Sequence, residues 1–160
     1  MLPAALSVAV AAVLVATVLS TPGTTAPTVD HPRIGQDHWH AAYQIYVCGQ
    51  RQPNAPTWEG IGVHTHSDGI IHTHPFTPSE EGRGARLVKW FEYGGGLLDT
   101  THLRIPGQRQ TLQNGDRCPN GDSGEVQVFV NGAQLTDWSE YIPQDGDRVV
   151  IAFGRPEGLF

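Results

Sequence analysis

Residues 61–76, IGVHTHSDGIIHTHPF, place two alternating runs on either side of Ser67-Asp68-Gly69. A short polar triplet ending in Gly is the signature of a three-residue β-hairpin loop, with Gly in the left-handed bulge position. In that register His66 pairs with Ile70 and His64 with His72. His64, His66, His72 and His74 then share one face of the hairpin, because side chains alternate with a period of two. A two-residue turn at Asp68-Gly69 would slip the register by one and set His64 and His66 opposite His72 and His74. The position of Gly69 favours the longer loop.

The same His-x-His spacing opens HWHAAYQIYVC, residues 38–48. Here Trp39, Ala41, Tyr43, Ile45 and Val47 fall on one face. His38, His40, Ala42, Gln44 and Tyr46 fall on the other. Period two with aromatic and β-branched residues predicts a strand whose odd face meets the core. If it lies beside the hairpin, His38 and His40 join the other four histidines.

Residues 49–60 read as a loop. Thr77-Pro78-Ser79-Glu80 then has the form of a helix opener, with Thr77 as N-cap, Pro78 at the first helical position and Glu80 three after the cap. The helix is expected to reach Tyr93, burying Leu87, Val88 and Phe91, and to end at Gly94-Gly95-Gly96. Gly82 and Gly84 weaken its first turns. Strands are expected at 101–105, 125–132 and 148–154, with turns at 114–124 and 142–148. Strands, one helix and more strands predict an α+β domain, one mixed sheet with a helix packed on it.

This domain spans residues 38–154, about 117 residues and enough for a single core. Before it, residues 1–20 carry no charge, and Leu2 to Leu19 is about 18 residues long, at the lower edge of what spans a bilayer. No Lys or Arg region precedes this run, so a retained anchor is favoured over a cleaved signal, and secretion is the alternative. Residues 21–37 read as a flexible linker of Pro, Gly and Thr, and 155–160 as a tail. The net charge of −6 falls on the exported part, and the ten Lys and Arg do not cluster, which disfavours a nucleic-acid partner. Cys48 and Cys118 are the only cysteines. In an oxidising compartment they form one disulfide most simply, a loop closure that chain entropy credits with about 4 kcal/mol. A Cys/His metal site would want a short Cys-x-x-Cys spacing, which is absent.

The segment VFVNG…YIPQDGDRVVIAFG resembles the closing strands of β-grasp domains, as in ubiquitin-like sulfur carriers. Those carriers end in a bare Gly-Gly that is activated chemically. This chain ends GRPEGLF, so their activity is not carried over. Over 38–154 the chain also resembles a family of exported, membrane-anchored actinobacterial-type proteins. That family combines an HWHAAY segment, an HTHxDGxIHxHP hairpin and the same closing pattern. The resemblance implies a β-grasp-like architecture and a membrane setting, and no particular activity.

The histidines carry the chemistry. Imidazoles at i and i+2 on a strand stand about 6–7 Å apart and project the same way. Their nitrogens can converge on one ion at about 2.0–2.1 Å each. Imidazole-rich sites suit Zn(II), Cu(II) or Ni(II). His38, His40, His64, His66, His72 and His74 are therefore candidate ligands for a transition metal, Zn or Cu first and Ni next. Six exceed one tetrahedral set, so either two ions bind or some of the six only support the others. Two other readings of the same histidines stay open: a pH-responsive surface and a hydrogen-bonded structural network. His31 and His102 read as bystanders.

Three enzyme families share fragments of the motif. HTHSDG resembles the first metal motif of polymerase-and-histidinol-phosphatase phosphoesterases, which need a longer barrel. HTHP…PS resembles JAMM metalloproteases, whose metal-binding Asp after the Ser is missing here, where Glu80 and Glu81 follow Ser79. Cupins place a Glu soon after His-x-His, and neither hairpin pair offers one. A metal-dependent hydrolase would also need a general base, for which Asp68, Asp37 and Glu59 are the nearby carboxylates. The favoured function is an extracytoplasmic metal-binding domain for binding, delivery or sensing. The alternatives are a structural or interaction subunit of a membrane complex, with a protein partner there, and a hydrolase of unknown substrate.

Overall fold

The computed structural model describes residues 31–155. The anchor segment 1–20, most of the linker 21–37 and nearly all of the tail 155–160 lie outside the described residues. Among the described residues no helix is long and apolar enough to cross a membrane. Among these residues the architecture is α+β, mostly sheet with one α-helix.

The alternating segment is strand β1, Trp39–Val47. Ala41, Tyr43 and Ile45 are buried while Ala42 and Gln44 are exposed, as the two-residue period requires. β1 turns back through Cys48 and Gly49, both at positive φ, into β2, Gln50–Arg51. This two-residue turn falls where a loop was expected. Left-handed residues at both turn positions match the twist of the strands they join.

The hairpin forms in the longer-loop register. β3 is Val63–His64 and β4 is Ile70–Thr73, with His64 opposite His72 and Val63 opposite Thr73. Gly69 sits at φ +82° and Ser67 at +63°. β3 is shorter than the expected run because Thr65 leaves β4 and bridges to Trp58. β4 runs antiparallel to β1, with His72 opposite His40.

The expected single helix is a correction. Pro78–Glu80 and Gly82–Ala85 are separate 3-10 turns, and the α-helix, α1, is only Leu87–Tyr93. Glu81 and Arg86 between them are extended. Gly82 is left-handed, at φ +49°, and a Cβ on Gly84 would lie 1.8 Å from the Ser79 carbonyl oxygen. A path this tight needs glycine and cannot continue as a helix. α1 buries Leu87, Trp90 and Phe91, with Val88 half-buried.

A small second sheet follows, made of β5 (Leu97–Leu98), β6 (His102–Arg104) and β7 (Leu112–Gln113). The chain then returns to the main sheet as β8 (Val126–Val130), β9 (Ala133–Leu135) and β10 (Arg148–Phe153). The main sheet runs β3-β4-β1-β10-β8-β9, with β2 on the end of β1. β10 is parallel to β1 and antiparallel to β8. One core joins Tyr43, Ile45, Val128, Val149 and Ile151 of the main sheet to Leu87, Trp90 and Phe91 of α1 and to Leu98 and Leu103 of the small sheet. The helix and small sheet thus cover the odd face of β1, leaving the even face, with the histidines, on the other side.

Cys48 and Cys118 form a disulfide, with Cα atoms 5.5 Å apart. Gly154 closes over it, and a Cβ there would lie 3.1 Å from the Cys118 Sγ. The bond ties the end of β1 to the turn-rich segment before β8.

Candidate metal site

All six candidate histidines come together on the outer face. The backbone rows do most of the work. His40, His72 and His64 stand side by side on β1, β4 and β3. His38 and His74 flank that row on one side, and His66 extends β3. Ring centroids form a continuous patch: His38–His40 at 4.7 Å, His40–His72 at 4.9 Å, His66–His72 at 4.7 Å and His64–His66 at 4.8 Å. His74 lies 4.6 Å from His38 and 4.8 Å from His64. His64 and His72 stack at 5.4 Å.

Within the patch, ring nitrogens converge in two groups, His38-His40-His72 and His64-His66-His72. In each group the three nitrogens lie within 4.8 Å of one another. The His64 and His66 Nε2 atoms are 3.1 Å apart. Two ligands on one tetrahedral ion, each at about 2.0–2.1 Å, would be separated by about 3.3–3.4 Å. That pair therefore needs only a small adjustment to share an ion. His74 belongs to neither group as the rings stand and serves as a link between them.

The supporting contacts suit ligands. Nδ1 of His64 lies 2.9 Å from the Ile61 carbonyl, which can only accept, so that nitrogen carries the proton and Nε2 keeps its lone pair. This is the arrangement by which a protein fixes the tautomer of a metal-binding imidazole. Asp68 Oδ2 lies 2.9 Å from His72 Nε2 and orients that ring in the same manner. Asp68 Oδ1 also accepts the Ile70 N–H at 3.0 Å, so one carboxylate shapes the turn and steers a ligand. Partial burial acts to raise the Asp68 pKa, but hydrogen bonds from His72 and Ile70 outweigh it and hold the carboxyl below its usual range. Glu59 Oε1 is 3.7 Å from His66 Nδ1 and largely exposed.

Electrostatics favours neutral rings. Burial lowers the pKa of His64, and the neighbouring His74, His66 and His72 lower it further against the hydrogen bond to Ile61. Burial, then His38 and His72, lowers that of His74, while Glu80 opposes. Burial, His38 and His72 likewise lower that of His40. Neutral imidazole is the form that binds metal.

The hairpin is held from below. Thr65 and Thr73 are buried, and the Trp90 Nε1–H donates to the His64 carbonyl at 3.1 Å. Glu80, expected as a capping residue, does more. Its Oε2 accepts from Phe76 N–H at 2.6 Å, Gly62 N–H at 3.1 Å and Thr77 N–H at 3.4 Å, clamping both ends of the hairpin. The Gly62 N–H lies outside any local capping pattern, so spacing alone points only to the cap.

Other sequence candidates are engaged elsewhere. Arg33 Nε donates to Asp37 at 2.7 Å, closing a turn within the stretch read as linker. His102 packs against Asp99 in a local turn, Nδ1 3.1 Å from Oδ1. Comparison with protein-family models, with curated proteins and with solved structures finds no match for this chain.

Proposed function

We propose that this domain binds a transition-metal ion through its imidazole patch, with His72 as the shared ligand. The observation that carries the reading is the convergence of three ring nitrogens within 4.8 Å in each of two groups on one sheet face. Imidazole-only donor sets suit Zn(II) and Cu(II), with Ni(II) next. A purely structural role for the histidines fits less well. Among the described residues the ring nitrogens of His38, His40 and His74 make no hydrogen bond, as a structural network would require. Catalysis draws less support: Asp37 is bound to Arg33, Asp68 to the turn and His72, and Glu59 stands on the exposed surface 3.7 Å from His66 Nδ1.

The setting we propose is outside the cytoplasm, on a single N-terminal anchor, with a protein partner in the membrane as recipient or source of the ion. The Cys48–Cys118 disulfide supports an oxidising compartment. The β-grasp-like reading is supported by the parallel pairing of β1 with the closing strand β10, flanked by antiparallel neighbours on both sides. Metal content by mass spectrometry on the untagged full chain tests the function. Near-stoichiometric Zn, Cu or Ni, lost in His64→Ala/His72→Ala, is expected. A native chain that stays empty after incubation with each ion overturns the reading.

A further inference from the structure

We propose that the two three-histidine groups are alternative positions for one ion, which is captured at the exposed His38-His40-His72 group and handed to the partly buried His64-His66-His72 group by exchange at His72. This rests on the metal-binding reading above and adds the stoichiometry and the route.

His72 belongs to both groups. Two ions held at once would each need a lone pair from this one ring. Its Nε2 lies 2.9 Å from Asp68 Oδ2. A carboxylate at neutral pH can only accept, so Nε2 carries the ring proton and Nδ1 offers the single lone pair. Ligating a second ion would require stripping that proton and breaking the Asp68 contact. An ion in one group therefore takes His72 from the other.

The groups also differ in access. His38 and His40 are exposed, whereas His64 is buried with Nδ1 committed to Ile61 and Nε2 aimed at His66 Nε2, 3.1 Å away. A pre-oriented ligand loses less freedom on binding than a mobile one, so the inner group is the tighter. The outer group, with two exposed ligands against one, is the more open to solvent. His40 and His64 sit on the strands either side of His72, so the two positions are about one strand spacing apart, ~5 Å. His74 touches His38 and His64 and bridges the path. An ion can cross by trading one imidazole at a time without returning to water. Run in reverse, the same route delivers the ion to an acceptor docked on the exposed side.

The test uses the full chain, Zn(II) for stoichiometry and Co(II) for its ligand-field spectrum. Three exposed ligands are changed, so folding is not at stake: His38→Ala/His40→Ala for the outer group and His66→Ala for the inner. The native chain is expected to saturate at one ion. Each variant still binds one, the outer-group variant with the native Co(II) spectrum and the inner-group variant with a different one. Stopped-flow uptake is expected to slow by about tenfold in the outer-group variant alone, within the range over which association rates vary among variants of one site. Two ions in the native chain and one in each variant would mean independent sites and overturn the proposal. So would a variant that binds none, or unchanged uptake. A native chain that binds no ion would instead remove the metal-binding reading itself.

Discussion

The two faces of strand β1 differ in what they ask of a side chain. On the inner face Ala41, Tyr43 and Ile45 are at most 3% exposed and pack against α1 and the main sheet. Any well-fitting apolar residues could serve there, and the constraint is volume. The outer face around His40 needs only polarity, which Thr, Ser, Lys or Glu supply equally well. It carries a row of imidazoles instead, running across three strands and half-dry. The inner face explains why the domain folds. The outer face is not explained by folding, and that surplus is where function is to be sought.

The sharpest way to break the comparison is to damage the inner face and read the outer. Trp90 is fully buried against Tyr43 and Trp58, and its indole holds the His64 carbonyl. Trp90→Ala should cost about 3–5 kcal/mol in a urea titration. It should also loosen the hairpin, so that metal affinity falls along with stability. Affinity unchanged in the folded fraction would show that the histidine face is held by its own strand pairing alone.

The complementary experiment loads or empties the outer face. A ligand that binds only the folded state stabilises it by about 2.7 kcal/mol when present at about a hundred times its Kd. Zinc should raise the thermal midpoint of the native chain and a chelator should lower it. In His72→Ala both responses should vanish while the metal-free midpoint shifts little, since His72 lies on the outer face and lends nothing to the core. A large loss of metal-free stability in His72→Ala would mean that the Asp68–His72 pair is structural first.

At the seam between the faces sits Gly62. A Cβ there would lie 2.5 Å from the His74 carbonyl oxygen and 2.6 Å from Glu80 Oε2. Gly62→Ala should cost about 1–3 kcal/mol, the usual penalty of overpacking. It should also displace His74 and weaken the Glu80 clamp. Amide exchange would show the effect as faster opening of β3 and β4 with β8 and β10 unchanged.

Much of the outer face was legible in the sequence because strand geometry has a period of two and turns have a restricted chemistry. Gly69 after Ser67-Asp68 specified the loop, the loop specified the register, and the register placed His64 opposite His72. The helix was less legible. Thr77-Pro78-Ser79-Glu80 is sound local chemistry, and Glu80 does accept from its cap, but the chain that follows must bend between Ser79 and Tyr93. Gly82 and Gly84 were visible as weak points, not as the break, which falls at extended Glu81 and Arg86 and left-handed Gly82. Strands β5 and β7, two residues each, carry no period to detect. The β1–β10 pairing joins residues about a hundred positions apart, beyond what local pattern conveys. The division of six histidines into two groups sharing His72 depends on ring positions that spacing cannot supply.

The smallest effect expected concerns the metal-free outer face and pH. His40, His64 and His74 are held below the ordinary imidazole value of 6.5, in each case chiefly by burial and then by neighbouring rings. Asp145 and Asp68 near His40, and Glu80 near His74, oppose the shift without cancelling it. When the folded-state pKa is lower, the unfolded chain binds the extra protons first. Stability then falls as pH drops below about 6.5 towards the folded-state values, and is flat with respect to these groups above it. Denaturant midpoints of chelator-treated protein, taken between about pH 7.5 and about pH 5 to leave the carboxylates ionised, should show this decline. His40→Gln/His74→Gln should flatten it, because neutral amides keep polarity without titrating. A slope that survives in the variant and in His64→Gln would have to come from groups other than these three. A native chain with no decline at all would show that these rings leave their partly buried positions on protonation, and that the row is held less tightly than the strands beneath it.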